Sequence, residues 1–485
     1  TLARKVGLDP ITEPERFHRV DSIPFESEHR FMATLHHDHH GHEFIYVKGA
    51  PERVLAMCAR ELGDAGPQPL RPDYWRDRIE ELATLGQRVL AVAFRATAET
   101  RGELTFEDVE EGLILLGLLG ISDPPREEAI RAVRQTQQAG IRVKMITGDH
   151  GATARAIAAQ IGIGDGHRVL TGPELEALDD AALRAVVMDT DVYARASPEH
   201  KLRLVAALQA NRQVVAMTGD GVNDAPALKR ADIGVAMGMN GTEAAKEAAA
   251  MVLADDNFAS ITHAVEEGRT VYDNLRKALL FILPTNGAQA LVVVAAILLG
   301  VALPITPVQI LWVNMVTAVT LSLALAFEPA EANVMQRPPR DPGEPLLSGI
   351  MLWRIGAVSV LLVVAPLGLF LWEAANGRPT DEARTLAVNA LVMGEIFYLF
   401  NSRYIHASVL SQEGLLGSRP VLATIGLMVL LQLAFTYLPP MQSLMGTTAI
   451  TAADWGIVTL AGLAVLLLVE LEKAVWRGVR KATGG

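Results

Sequence analysis

Hydrophobic and polar positions divide the chain near Ala278 into two unlike stretches. Between Lys277 and Glu328 there is no Asp, Glu, Lys or Arg for 50 residues. As one helix that run would be about 75 Å long, too much for a single crossing of a hydrocarbon layer about 30 Å thick. Leu303-Pro304-Ile305-Thr306-Pro307 interrupts it, and the two prolines make a natural turn. The pattern predicts a helical hairpin with spans at 278–301 and 308–327. Four more apolar runs predict spans at 350–373, 384–402, 420–438 and 455–473. The charged helical pattern at 261–277 predicts a stalk leading into the first span.

The earlier stretch has a different rhythm. Short apolar strands alternate with polar residues over 29–58, around His36-His37-Asp38-His39-His40-Gly41-His42. Helical spacing follows at Tyr74 to Leu85 and a strand at Val89 to Phe94. Runs at 113–121 and 141–147 read as buried parallel strands, each followed by a helical pattern, at 126–139 and 151–161. Val192–Ala194 and Val214–Thr218 continue the alternation, which predicts a doubly wound parallel sheet over 113–260. Thr1 to Val6 reads as the middle of a helix.

Charge then orients the spans. Arg337, Arg340, Arg403, Arg419, Lys473, Arg477, Arg480 and Lys481 fall on one side of the six predicted spans. The 302–307 and 439–453 connections have no basic residue, and 374–383 has only Arg378. The positive-inside bias predicts that the soluble half and the C-terminus are cytoplasmic. A formal net charge of −12 without a basic patch argues against nucleic-acid binding. The single cysteine, Cys58, excludes an internal disulfide and any multi-Cys metal site, and reads as a small apolar residue. The start of the chain has no signal-peptide pattern.

Two strand ends carry acidic, glycine-containing loops: Thr147-Gly148-Asp149 and Thr218-Gly219-Asp220-Gly221-Val222-Asn223-Asp224. Ligands of open α/β sheets bind beyond the carboxyl ends of the strands. A threonine hydroxyl and glycine amides there can hold phosphate oxygens, and carboxylates can hold Mg2+ jointly with a phosphate. Lys201, between the loops, can neutralise phosphoryl charge. A single loop of this kind would read as a turn with solvated carboxylates; two in order, with a lysine between, favour phosphate chemistry. The histidine run reads as a solvated hairpin loop, since Zn2+ or Ni2+ would need a full ligand set.

Thr218 to Lys229 (TGDGVNDAPALK), together with Met145 to Asp149 (MITGD), resembles the phosphorylation domain of P-type ATPases, within the haloacid dehalogenase superfamily. Asp123-Pro124-Pro125-Arg126, Lys201 and Met251 to Phe258 (MVLADDNF) match it too, as does Lys48-Gly49-Ala50-Pro51-Glu52 of the nucleotide domain. The likeness runs over nearly the whole chain and is nearest to the type II pumps, the group of the sarcoplasmic-reticulum calcium pump. It implies a multidomain membrane protein. An α+β nucleotide-binding domain, partial here, would take 1–112. An α/β haloacid-dehalogenase-like phosphorylation domain would take 113–260, followed by the stalk and a six-helix transmembrane bundle.

The resemblance also implies roles. Asp220 would ligand Mg2+, with Asn223 and Asp224 beside the phosphate. Thr147 and Gly148 would hold the phosphoryl group, Lys201 its charge, and Asp149 would lie near nucleotide and Mg2+. For ATP, Phe25 would stack on adenine, Lys48 and Gly49 would line the pocket, and Arg30 and Arg88 would approach the nucleotide. Taken singly, Phe25 reads as core and Arg88 as a surface charge.

The Asp-Lys-Thr-Gly-Thr run of the family's phosphorylated aspartate and the Thr-Gly-Glu of its actuator domain do not occur in these residues. The resemblance places both upstream, with an actuator domain and four further membrane helices as partners in the same protein.

Polar residues inside spans are costly and mark ion paths by default. Asn286 and Gln289 share a face of the first span, Asn314 and Thr317 one of the second, and Glu395 lies in the fourth with Asn389 nearby. The alternative for Asn, Gln and Thr is bonding between helices. The resemblance places Asn286, Gln289, Asn314, Thr317 and Glu395 on ion-ligand positions. Gln289 stands where a Glu is expected and Ala318 where an Asp is expected, which removes charge that favours Ca2+.

The expectation is ATP-driven transport of Ca2+ or a monovalent cation through an aspartyl phosphate, in the lipid of a bacterial inner membrane. A membrane-anchored phosphatase and a nucleotide-binding regulatory half-pump are the alternatives.

Overall fold

The computed structural model describes residues 7–8, 12–26, 28–38, 40–97, 102–122, 124–164, 168–405 and 407–483. The helix expected at Thr1 to Val6, Asp123 and His39 lie outside these residues. The chain forms two compact units, Thr1–Thr262 and His263–Gly485.

The first unit opens with a seven-stranded sheet. Its strands are β1 (His18–Ile23), β2 (Phe31–His37), β3 (Glu43–Gly49), β4 (Cys58–Gly63), β5 (Gly66–Pro69), β6 (Arg88–Thr97) and β7 (Leu113–Ile121), in the order β1-β2-β3-β6-β7-β4-β5. Alternation sets one face inward: Phe31, Ala33 and Leu35 of β2 and Ile45 and Val47 of β3 are buried together with Ala91 and Ala93 of β6. The histidine run turns between β2 and β3. There the Asp38 Oδ1 accepts the backbone N–H groups of His40 and His42, and its Oδ2 pairs with His42 Nδ1 at 2.9 Å. Cys58 is buried in this core, which pushes its thiol up to about 12.

One expectation changes here. Residues 113–121 form a strand, but not in the doubly wound sheet. As β7 they run antiparallel to β6 and parallel to β4. A continuous apolar run reports burial and does not name its partner strands.

The parallel alternation holds further along. Strands β8 (Met145–Ile146), β9 (Val169–Thr171) and β10 (Val192–Ala194) pair in the order β8-β10-β9. Strands β11 (Ala216–Gly219), β12 (Ile233–Met237) and β13 (Met251–Leu253) form a second three-stranded parallel sheet in chain order. Helices follow the strands as the pattern requires. The helix Pro198–Ala210 starts at Ser197, whose hydroxyl accepts the His200 N–H, with Pro198 at its first position.

Among the described residues, six helices are long and apolar enough to cross a membrane: Phe258–Leu299, Pro307–Ala326, Gly349–Ala375, Thr380–Ser402, Arg419–Tyr437 and Ala452–Val479. The first begins at the end of the first unit, so the expected stalk and the first span are one continuous helix. Pro284 interrupts the ladder of that helix and leaves the Leu280 carbonyl without its usual donor. The Tyr398 hydroxyl of the fourth helix supplies one, at 2.6 Å. The second helix passes through a π turn at Ala318–Ser322. The fourth is buried along most of its length. Gly462 of the sixth lets it approach the fourth, since a Cβ there would lie 2.5 Å from the Phe397 ring and 2.8 Å from the Met393 carbonyl. Several charges buried in this unit are paired, as Glu328 is with Arg403 at 3.1 Å.

Candidate phosphate and ion sites

The first acidic loop sits at the end of β8 and is clamped by the neighbouring strand. Thr147 N–H donates to the Tyr193 carbonyl at 2.9 Å, while the Ala196 and Arg195 N–H groups donate to the carbonyls of Thr147 and Asp149, each at 3.1 Å. Thr147 Oγ1 donates to Asp149 Oδ2 at 2.9 Å and accepts the Asp149 N–H at 3.1 Å. Gly148 lies open between them. Helix Gly151–Ile161 begins directly after, capped by the His150 ring.

The second loop closes on Asp224. Its Oδ1 lies 2.5 Å from Lys201 Nζ, and its Oδ2 accepts the N–H groups of Asp220 and Gly221, both at 3.2 Å. Asp224 is 5% exposed. A Cβ on Gly219 would lie 2.5 Å from the Asp224 Cβ, so only glycine admits this fold-back. Asp220 and Asn223 are exposed at the mouth of the loop.

Mg2+ fits this donor set in one way. Both Asp224 oxygens are committed to the loop, whereas the Asp220 carboxylate is exposed and available. Mg2+ often takes one or two carboxylates and completes its shell with phosphate and water. Among the described residues there is no group of three or more His, Cys, Asp or Glu that could hold a metal ion without such help.

The expected nucleotide residues gather at one end of the seven-stranded sheet. Phe25 is 57% exposed in the segment after β1. Arg30 holds φ +60 just before β2, and its carbonyl accepts the Ala50 N–H. A Cβ on Gly49 would lie 2.5 Å from that carbonyl. Lys48 points to the exposed face of β3. Arg88 opens β6, with its Nε 3.6 Å from Asp149 Oδ1.

Arg195 was not singled out by sequence. It adopts φ +51, and its guanidinium pairs with Glu52 in the Lys48-to-Glu52 motif. His150 Nε2 lies 3.8 Å from the same carboxylate. A lone Arg ahead of a Ser-Pro helix start gives no signal of either feature.

In the second unit, Gln289 Nε2 donates to Glu395 Oε1 at 3.2 Å, joining the first and fourth helices. Both residues are buried, and Glu395 Oε2 has no partner among the described residues. Thr317 is buried too, but its hydroxyl returns to the Val313 carbonyl at 2.7 Å. Asn286 and Asn314 lie on exposed faces, so the described residues do not bring them to Glu395. Asn389 belongs to a separate network. Its Oδ1 accepts from Gln432 Nε2 at 3.0 Å, and its Nδ2 donates to Thr436 Oγ1 at 3.2 Å. Gln432, Thr436 and Tyr398 were missed because each sits singly in an apolar run.

Comparison with known proteins gives the family. Family profiles match three segments: P-type ATPase, cytoplasmic domain N, at residues 1–128; haloacid dehalogenase-like hydrolase at 200–265; and cation transporting ATPase, C-terminus, at 302–475. The chain is 48% identical over 477 residues to the probable cation-transporting ATPase F of Mycobacterium tuberculosis, covering 97% of this chain and 52% of that protein. It is 44% identical to the cation-transporting ATPase pma1 of Synechocystis, covering 94% of this chain and 51% of the relative. It is 38% identical to the calcium-transporting ATPase of Bacillus subtilis, covering 94% and 52%. The chain spans about half the length of the curated relatives it matches. With the domain N, hydrolase and C-terminal profiles all present and six helices able to cross a membrane, the chain belongs to the P-type cation-transporting ATPase family.

Proposed function

We propose that the protein containing this chain is an ATP-driven cation pump working through an aspartyl phosphate, and that this chain supplies the nucleotide pocket, the phosphate cradle and part of the ion path. The observation that carries the reading is the second loop: Lys201 holds Asp224 inward, leaving Asp220 free at the end of β11.

In this reading the adenine stacks on Phe25. Arg30 and Lys48 flank the nucleotide beside Gly49, and Arg88 takes the phosphates. The Thr147 hydroxyl and the Gly148 amide receive the transferred phosphoryl group, Lys201 offsets its charge, and the Asn223 amide orients it. Asp149 must give up Arg88 and the Thr147 hydroxyl as the phosphate arrives. Asp220 would hold Mg2+, which would supply positive charge against the charge of the reacting group. The acceptor is an aspartate outside this chain. Its carboxylate oxygen bonds to the γ-phosphorus while the bond to the β–γ bridging oxygen breaks and ADP leaves with that electron pair.

The transported ion would be bound by Gln289 and Glu395, with Asn286, Asn314 and Thr317 lining the path. The relatives are named for cation and calcium transport. Gln289 and Ala318 lower the negative charge available, so we assign Ca2+ or a monovalent cation. The membrane would be a bacterial plasma membrane, with the first unit and the C-terminus in the cytoplasm.

The test is to incubate the full-length protein with ATP labelled at the γ-phosphate and quench in acid. The reading predicts protein-bound label that hydroxylamine removes and that Asp220→Asn strongly reduces. Hydrolysis of phosphate esters without any such label would favour a membrane-anchored phosphatase and overturn the pump.

A further inference from the structure

Two arginines, one within the helix Phe258–Leu299 and one on the connection between the second and third membrane helices, play no part in the transport reading. Arg276 follows Tyr272 by one turn on the helix Phe258–Leu299, and its Cζ lies 5.8 Å from the Tyr272 ring centroid. Arg340 comes from the connection between the second and third helices, and its Cζ lies 4.6 Å from the same centroid. Two guanidinium ions therefore converge on one phenol ring.

The neighbouring basic side chains are answered. Arg337 pairs with Asp273 at 2.7 Å and Lys277 with Glu331 at 3.2 Å. Arg269 donates to the carbonyls of Val334 and Arg337 at 2.8 and 2.7 Å. Arg276 and Arg340 have no carboxylate at ion-pair distance among the described residues. Arg276 donates to the Met351 thioether at 3.0 Å, a weak acceptor, and its Nε is buried without a partner. A buried guanidinium N–H without an acceptor is costly, and two such ions on one ring repel each other. An anion with several oxygens, bound by both guanidinium groups, offsets both penalties.

The position indicates which anion. Arg276 lies two residues before the charge-free run that starts at Ala278. Met351 lies in the first turn of the third helix, so the site is level with the boundary between hydrocarbon and water. Leu275 is 49% exposed and Trp353 is 61% exposed at the same level, a surface for an acyl chain and an interfacial indole. We propose that Tyr272, Arg276 and Arg340 form a binding site for the phosphate of an anionic phospholipid head group. Paired arginines match a phosphodiester by bidentate hydrogen bonding, and basic pockets beside membrane helices hold such lipids.

The test uses the full-length protein in neutral detergent, titrated with phosphatidylglycerol or phosphatidylcholine, with bound lipid counted by native mass spectrometry. One phosphatidylglycerol should bind more tightly than phosphatidylcholine. The pair Arg276→Gln/Arg340→Gln should weaken it roughly 30-fold, and the exposed Arg340→Gln alone about fivefold, with phosphatidylcholine unchanged. Arg340→Gln, on a loop, keeps the test valid should the double variant fail to fold. Equal binding of the two lipids, or phosphatidylglycerol affinity unaltered in Arg340→Gln, overturns the proposal. Inorganic phosphate and glycerol 3-phosphate are the soluble arms. Displacement of the lipid by either at equal concentration assigns the site to a free anion and overturns the lipid reading.

Discussion

In Lys201→Met, the Asp224 carboxylate stays 5% exposed but loses the ammonium 2.5 Å from its Oδ1. Breaking a buried ion pair costs about 3–5 kcal/mol when the surviving charge is left bare. Here Oδ2 keeps two N–H donors, from Asp220 and Gly221. A hydrogen bond to a charged group contributes about 1.5–3 kcal/mol, though at 3.2 Å these are on the long side. The Lys201 side chain is 22% exposed, so water replaces part of its field. We expect a net loss of about 2 kcal/mol, local to the loop after β11. That is roughly a 30-fold increase in the population of the opened loop. Hydrogen exchange resolved to single amides reads this at the Asp220 and Gly221 N–H groups, with amides of β2 and β3 as internal controls. Adding Asp224→Asn to Lys201→Met removes the stranded charge, and the double-mutant cycle should return a coupling of about 2 kcal/mol. Exchange changed less than threefold at both amides, or a coupling near zero, would refute the reasoning that Lys201 holds the loop through Asp224.

Glu61 gives a pH prediction. Burial pushes its carboxyl upward, but the Trp75 indole N–H, the Arg71 backbone and side chain, and Gln68 together outweigh this and hold it down at about 2, against an ordinary 4.5. Its contribution is therefore complete above about pH 4.5 and is lost as pH falls towards 2; Glu61→Ala should lower the stability of the β4–β5 hairpin by roughly 2 kcal/mol at pH 7, read by exchange of the Arg71 amide. Tyr398→Phe strands the Leu280 carbonyl opposite Pro284, so a destabilisation of about 1–2 kcal/mol is expected, visible as a lower midpoint in thermal unfolding in detergent. Gly219→Ala should reduce ATP-dependent phosphorylation of the full-length protein at least tenfold while leaving nucleotide binding intact, because the new methyl displaces Asp224 and not the ATP pocket.

Much of this was legible in the sequence where one physical requirement acts on many residues together. The hydrocarbon layer imposes a length on every span, so Pro304 and Pro307 announced the first hairpin and all six helices stood out. The loops ending β8 and β11 were legible because Thr, Gly and Asp cluster there at fixed spacing. What escaped depends on partners distant in sequence. The apolar run of β7 carries no mark of lying beside β6 and β4. Nothing near Pro284 shows that Tyr398, on another helix, satisfies its freed carbonyl. The π turn at Ala318–Ser322 has no side-chain signature. Among the polar residues of the spans, helical spacing put Asn286 with Gln289 and Asn314 with Thr317, yet the first of each pair is exposed and the second buried, and spacing could not show that Gln289 meets Glu395 while Thr317 bonds back to its own helix.

The most direct test of the central claim is cation-stimulated ATP hydrolysis by the full-length protein, with Mg2+ held constant and Ca2+, Na+, K+ and Mn2+ supplied in turn. The account predicts stimulation by Ca2+ or by one monovalent ion in the unaltered protein. In Glu395→Gln that stimulation is lost, while labelling of the protein by inorganic phosphate persists, because the phosphate loops lie in the other unit. Undiminished stimulation in Glu395→Gln would contradict it, since Glu395 would then have no part in binding the ion that drives the reaction.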